Sequence, residues 1–193
     1  KGQIGEGEML ERVGWQERWG VDPMYYAPMW RRARVEGQRV IGLNARRELG
    51  RKVGQVGIAG LNYSEQGELP DMELGPEAYR QDLERVFLAH GMGSDSEGLE
   101  RFFQAQVLWD EMMAETAFKA LEQAPPGAQM MIVSGRGHIE RGYGIPSRLI
   151  RRGAEPEEVV TIIAVSRGSG KAAPRAAYRD LEWLDQEGIA DYV

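Results

Sequence analysis

Gln129-Met-Met-Ile-Val-Ser-Gly-Arg-Gly-His138-Ile-Glu-Arg-Gly-Tyr143-Gly-Ile-Pro146 is the stretch on which the fold and the function of this chain turn. Its opening is an almost unbroken apolar run, the pattern of a strand buried on both faces. The chain then breaks into glycines at 135, 137, 142 and 144 and presents His138, one of only two histidines. In open α/β sheets, ligands sit in the crevice beyond the carboxyl ends of the strands. A histidine held there can bind a metal, move a proton or touch a cofactor. The glycines let the backbone approach a ligand closely, or take tight turns.

Two more runs have the same character, Arg39-Val-Ile-Gly-Leu43 and the β-branched Val159-Val-Thr-Ile-Ile-Ala-Val165. Ile189–Val193 reads as a terminal strand. Between them, helical spacing of apolar residues predicts helices over about 9–19, from Asp22-Pro23 through 33, and over 46–56, 77–90, 146–152 and 178–184. The longest covers about 97–123 and is stopped by Ala124-Pro-Pro-Gly127. Residues 1–8 read as a loose lead-in and 166–177 as a linker-like loop. Helices alternating with apolar strands predict an α/β fold, a mostly parallel sheet flanked by helices. Three or four strands are few for so many helices. The sheet is therefore expected to be incomplete at its N-terminal side, with another chain or absent strands completing it. At 193 residues, the whole of 1–193 fits a single domain.

Composition narrows the function. A formal charge of −6 argues against a nucleic-acid binder, which shows a basic face. The Arg31-Arg32-Ala-Arg34, Arg46-Arg47 and Arg151-Arg152 clusters lie within or beside helical patterns and read as solvated faces. With no cysteine, disulfides, thiolate metal sites and cysteine nucleophiles are excluded. No apolar run approaches the roughly 20 residues that span a bilayer. The chain starts at Lys1 and reads as a processed or truncated product.

Several side chains could carry chemistry. Asn44 follows one strand and His138 follows another. On the long helix, Gln106 and Asp110 share a face at i,i+4, Met113 extends that stripe and Trp109 sits beside it. A buried Gln–Asp pair would need partners, which Asn44 or the 135–144 loop could supply; an exposed Asp110 would need none. His138 reads equally as a structural histidine bonded to loop backbone. Tyr143 can pack its ring, or donate a phenolate to ferric iron. His90, ending a helix, reads as structural, favoured there by the helix dipole. Phosphate-loop, Gly-x-Ser-x-Gly and His-Glu-x-x-His signatures are all missing, and Gly135-Arg-Gly137 is a weak dinucleotide signal.

Taken in order, the motifs resemble a known family. Gly14-Trp15-Gln-Glu-Arg-Trp19-Gly20, Tyr26-Ala-Pro28 and Val40-Ile-Gly-Leu-Asn44-Ala-Arg-Arg-Glu48-Leu are similar to the ChaN-like haem-binding uptake proteins. So are Ala105-Gln106-Val-Leu-Trp109-Asp110-Glu-Met-Met113-Ala114 and Ser134-Gly135-Arg-Gly137-His138 through Pro146. The resemblance places the chain beside the Tiki/TraB and erythromycin-esterase-like proteins. It implies an α/β fold with a polar pocket lined by two histidine motifs. The second motif, a Gly-Glu-x-His element, would lie upstream and is absent from this sequence, as is a strand ending in glutamate. It further implies haem, or a related tetrapyrrole, as cofactor and partner. His138 and Tyr143 are then the candidate iron ligands, with Gly135, Gly137, Asn44, Gln106, Trp109, Asp110 and Met113 around them. A homodimer, or a protein partner completing the sheet, and an exported, membrane-associated or organellar location belong to the same expectation. Two alternatives stand beside it. One is an accessory subunit of a larger assembly with a vestigial pocket. The other is a Tiki/TraB-type metal-dependent hydrolase, with His138 as metal ligand or base and Asp110 and Asn44 orienting it.

Overall fold

The structure, a computed structural model, describes residues 4–89, 91 and 95–164. His90, the linker-like 166–177, the helix expected over 178–184 and the strand expected at 189–193 lie outside the described residues. The chain divides into two compact units, one up to Gly42 and one from Leu43 onward.

The first unit is three short helices, α1 (Glu6–Arg12), α2 (Trp15–Arg18) and α3 (Ala27–Val35). One helix over 9–19 was the expectation. Gly14 adopts a left-handed φ of 61° and breaks it in two. Asp22 accepts from the Met24 N–H, but the turn it opens at Pro23–Tyr25 is a single 3₁₀ turn before α3. Trp15 holds the unit together, stacked on Trp19 at 5.0 Å and edge-on to Tyr26 and Trp30.

The second unit is built on one long helix. It contains α4 (Arg47–Val56), α5 (Tyr63–Gln66), α6 (Glu77–Ala89), α7 (Ser96–Glu122) and α8 (Ile145–Arg151). Asp95 starts α7 by accepting from the Glu97 and Gly98 N–H groups. Over its middle, α7 is apolar on nearly every side, and α4, α6 and α8 all pack on it. Leu49 and Val53 of α4 meet Ala105 and Leu108, and Tyr79 and Leu83 of α6 meet Phe103 and Val107. Further along α7, Met113 and Ala114 meet Ile145 of α8, with Leu43, Ile132 and Ile139 against them.

The expected α/β fold is overturned: among the described residues there is no sheet. The apolar runs are extended, but they do not pair into a ladder; a lone bridge at Ile162 is all that remains. In 129–134, Ile132 packs toward α7 while Met131 is 83% exposed and Val133 41%. In 159–164, Ile163 is buried while Val160 and Ile162 are 58% and 67% exposed. Each run is therefore anchored by alternate side chains, as an extended segment rather than a sheet strand. A short apolar run fixes extension and half-burial; it does not specify what lies alongside.

Packing of α4 on α7 puts opposite demands on two glycines of one helix. A Cβ at Gly50 would stand 2.6 Å from the Trp109 Nε1, whereas one at Gly54 would meet nothing within 4 Å. Gly50→Ala should therefore destabilise the protein by about 1–3 kcal/mol through overpacking. Gly54→Ala should stabilise it by up to about 1 kcal/mol through helix propensity. Chemical denaturation of both variants checks this, and equal signs would contradict the packing described.

Candidate functional site

At the centre of α7, two neighbouring carboxylates, Asp110 and Glu111, are both fully buried. An acidic pair in an apolar interior must be met by donors or it costs several kcal/mol. Asp110 is met from two sides. The Tyr79 hydroxyl of α6 donates to its Oδ2. His138 Nδ1 lies 2.7 Å from its Oδ1, which accepts the hydrogen of an Nδ1–H ring. Glu111 points the other way. Its carboxylate accepts from the Glu73 N–H at 3.0 Å and from Arg151 Nη2 at 2.8 Å, and Arg152 Nη2 is 2.7 Å away.

Arg148 of α8 pairs with Glu111 and approaches Asp110 only through Tyr79. Its Nε is 3.1 Å from Glu111 Oε1, an ion pair whose angle does not make a hydrogen bond. Its guanidinium donates to the carbonyls of Tyr143, Gly144 and Glu73, and lies over the Tyr79 ring at 5.6 Å. Arg148 thereby fastens the end of the loop that carries His138. Within that loop, 3₁₀ turns form at Arg136–His138 and Glu140–Gly142. Arg141 takes a left-handed φ of 57° within the second and pairs with Asp82 at 3.3 Å. Gly144 is the glycine that the site requires. A Cβ there would stand 2.2 Å from the His138 carbonyl oxygen and 3.0 Å from Asp110 Oδ1.

This geometry fixes the imidazole. With Nδ1–H given to a carboxylate, the neutral ring keeps its lone pair on Nε2. The His138 side chain is 18% exposed. Its Nε2 is a basic nitrogen on a ring oriented from behind and partly exposed. It can act as a base or as one ligand of a metal. Among the described residues, no three His, Asp or Glu side chains gather to hold a metal ion by themselves. A hydrolytic metal centre would need further ligands. His138 by itself offers a single nitrogen donor.

The other sequence candidates divide. Trp109 is edge-on to His138, with ring centroids 6.4 Å apart. Met113 is buried in the cluster beneath the loop, and Gln106 is half-buried on α7. Gly135 runs close to the ring, its would-be Cβ 3.6 Å from His138 Cδ2, while Gly137 is exposed with open space around it. Tyr143 turns its ring into the core, 6.0 Å from Tyr79, and its carbonyl receives Arg148. Asn44 is exposed and folds back to accept from the Ala45 N–H at 3.0 Å. Tyr79, Glu111 and Arg148 were missed as site residues. The signal lay in α7 itself: through its largely apolar middle, an Asp-Glu pair has little solvent face to occupy.

The chain belongs to the haem-binding uptake family ChaN of the Tiki superfamily, which it matches over residues 1–149. No curated protein and no solved structure matches it. Among the described residues no helix is long and apolar enough to cross a membrane.

Burial, and then the negative charge and hydrogen bond of Asp110, push the Tyr79 phenol well above its ordinary value, with Arg148 pulling weakly the other way. A raised pKa gives stability that is intact below about pH 10 and is lost as pH rises beyond it. In an ultraviolet phenolate titration, the Tyr79 phenol should give a delayed step, staying un-ionised until alkaline unfolding. In Tyr79→Phe that delayed step should vanish, with a stability loss at neutral pH of about 1–3 kcal/mol for the donor taken from a buried carboxylate. A delayed step that persists in the variant would place the buried phenol elsewhere.

Proposed function

We propose that this chain binds a haem-type tetrapyrrole, whose iron the Nε2 of His138 would hold. One observation carries the proposal: the 2.7 Å contact between His138 Nδ1 and the buried Asp110. A carboxylate behind an imidazole fixes the tautomer, sets the ring's direction and raises the basicity of the far nitrogen. Tyr79 steadies the carboxylate, and Arg148 and Gly144 hold the loop. Trp109, beside the imidazole, supplies an apolar wall. Bound iron would supply redox and ligand-exchange chemistry. The chain's own residues supply orientation and partial exclusion of water. Tyr143, with its ring packed on Tyr79, supports the loop rather than the iron. Family membership supports haem as the cofactor.

A second reading, a subunit docked in a larger assembly, has support of its own. Met131, Val160 and Ile162 stand largely exposed along extended segments, and such segments invite cover by another chain.

Haemin titrated into the folded protein should give a saturable Soret shift at a defined stoichiometry. His138→Ala should weaken binding by at least about tenfold while leaving far-ultraviolet circular dichroism unchanged, and Asp110→Asn should weaken it by about tenfold. Unchanged affinity in His138→Ala would make the histidine structural and the assignment wrong.

A further inference from the structure

Alongside Trp109, the second unit carries an open groove of about 450 Å³, within the size range of small-molecule sites. Phe87 of α6, Phe102 and Trp109 of α7 and the bare backbone of Gly50 and Gly54 form its walls, and Arg51 and Arg101 stand at its margin. Trp109 lines this groove and also stands edge-on to His138. A groove with aromatic walls and two guanidinium groups suits a flat, apolar ring system bearing carboxylates.

The two arginines are unequally free. Arg101 is shared with Asp95, at 3.5 Å, and Glu97, at 3.3 Å, both loose and solvent-facing pairs. Asp95 also borders the groove, with its oxygens engaged by the N–H groups that start α7. Arg51 has no carboxylate partner among the described residues, and it is exposed. Gly54 adds an independent observation. Glycine in a helix interior costs about 1 kcal/mol relative to alanine. At Gly50 the Trp109 indole accounts for it; at Gly54 nothing within 4 Å does. A side chain at 54 would fit the protein and fill the groove.

We propose that this groove seats the macrocycle of a carboxylate-bearing tetrapyrrole, with Arg51 and Arg101 receiving its carboxylates. The proposal rests on the haem-type reading above and goes further by naming the seat and the chemical class.

The test uses metal-free protoporphyrin IX and its dimethyl ester, alongside haemin, and follows binding by absorbance and tryptophan quenching. The free acid should bind the wild-type chain more tightly than the diester. Arg51→Gln and Arg101→Gln should each weaken the free acid by about three- to fivefold, as expected for solvent-exposed charge pairs, and leave the diester unchanged. Gly54→Leu should fold with undiminished thermal stability and lose tenfold or more in affinity for both. His138→Ala should affect haemin far more than the metal-free ring. If haemin binds but the diester, Arg51→Gln and Gly54→Leu behave as the free acid and the wild type do, the groove assignment falls and the His138 reading stands. If the wild type binds no tetrapyrrole, both fall.

Discussion

Two carboxylates side by side in the interior of α7 govern the architecture of the second unit. A helix turns 100° per residue, so Asp110 and Glu111 cannot share a partner and must be satisfied from different directions. Asp110 draws in α6 through Tyr79 and the glycine loop through His138. Glu111 draws in α8 through Arg148, Arg151 and Arg152, and the Glu73 backbone before α6. Removing one partner of such a buried pair typically costs about 3–5 kcal/mol, more than most apolar contacts here could offset. The apolar packing brings the helices together; the carboxylates fix which loop residues face which helix.

The presentation of His138 follows from that constraint. Its loop has little regular structure and would by itself leave the ring free to turn. Asp110 fixes one nitrogen, Arg148 holds the carbonyls at the loop's far end, and at Gly144 the backbone passes too close to His138 for any side chain. A preoriented imidazole loses little rotamer freedom on accepting a ligand, which makes this residue, of those singled out from the sequence, the best prepared to bind one. The groove beside Trp109 is then a neighbouring surface shaped by the same helix.

Much of the helical content was legible in the sequence. The bounds expected for α7, 97–123, differ by a residue from Ser96–Glu122, and those of α4 and α6 differ little, because amphipathic spacing and capping signals act locally. The sheet was misread because pairing is not local. The segments 39–43, 129–134 and 159–164 are rich in β-branched and apolar residues, but they lie extended with no neighbouring strand among the described residues. For the site, spacing placed Asp110 and His138 among the candidates and could not show which partner each would take. Asn44 was grouped with them as a residue at a strand end; without the sheet, that reason disappears, and it is bonded to its own neighbour. By its spacing, Tyr79 is one more core position on α6. Its hydroxyl acquires meaning only once Asp110 is known to lie opposite.

The most direct measurement is the tautomer of His138 in the ligand-free protein, read from its ring nitrogens by ¹⁵N nuclear magnetic resonance. With only two histidines, one variant, His90→Gln, assigns the signals. The neutral ring should carry its hydrogen on Nδ1, hydrogen-bonded and slow to exchange, and Asp110→Asn should abolish that protection. A neutral ring protonated on Nε2, or one indifferent to Asp110, would mean that the carboxylate does not orient the histidine and that Nε2 is not the donor this site presents.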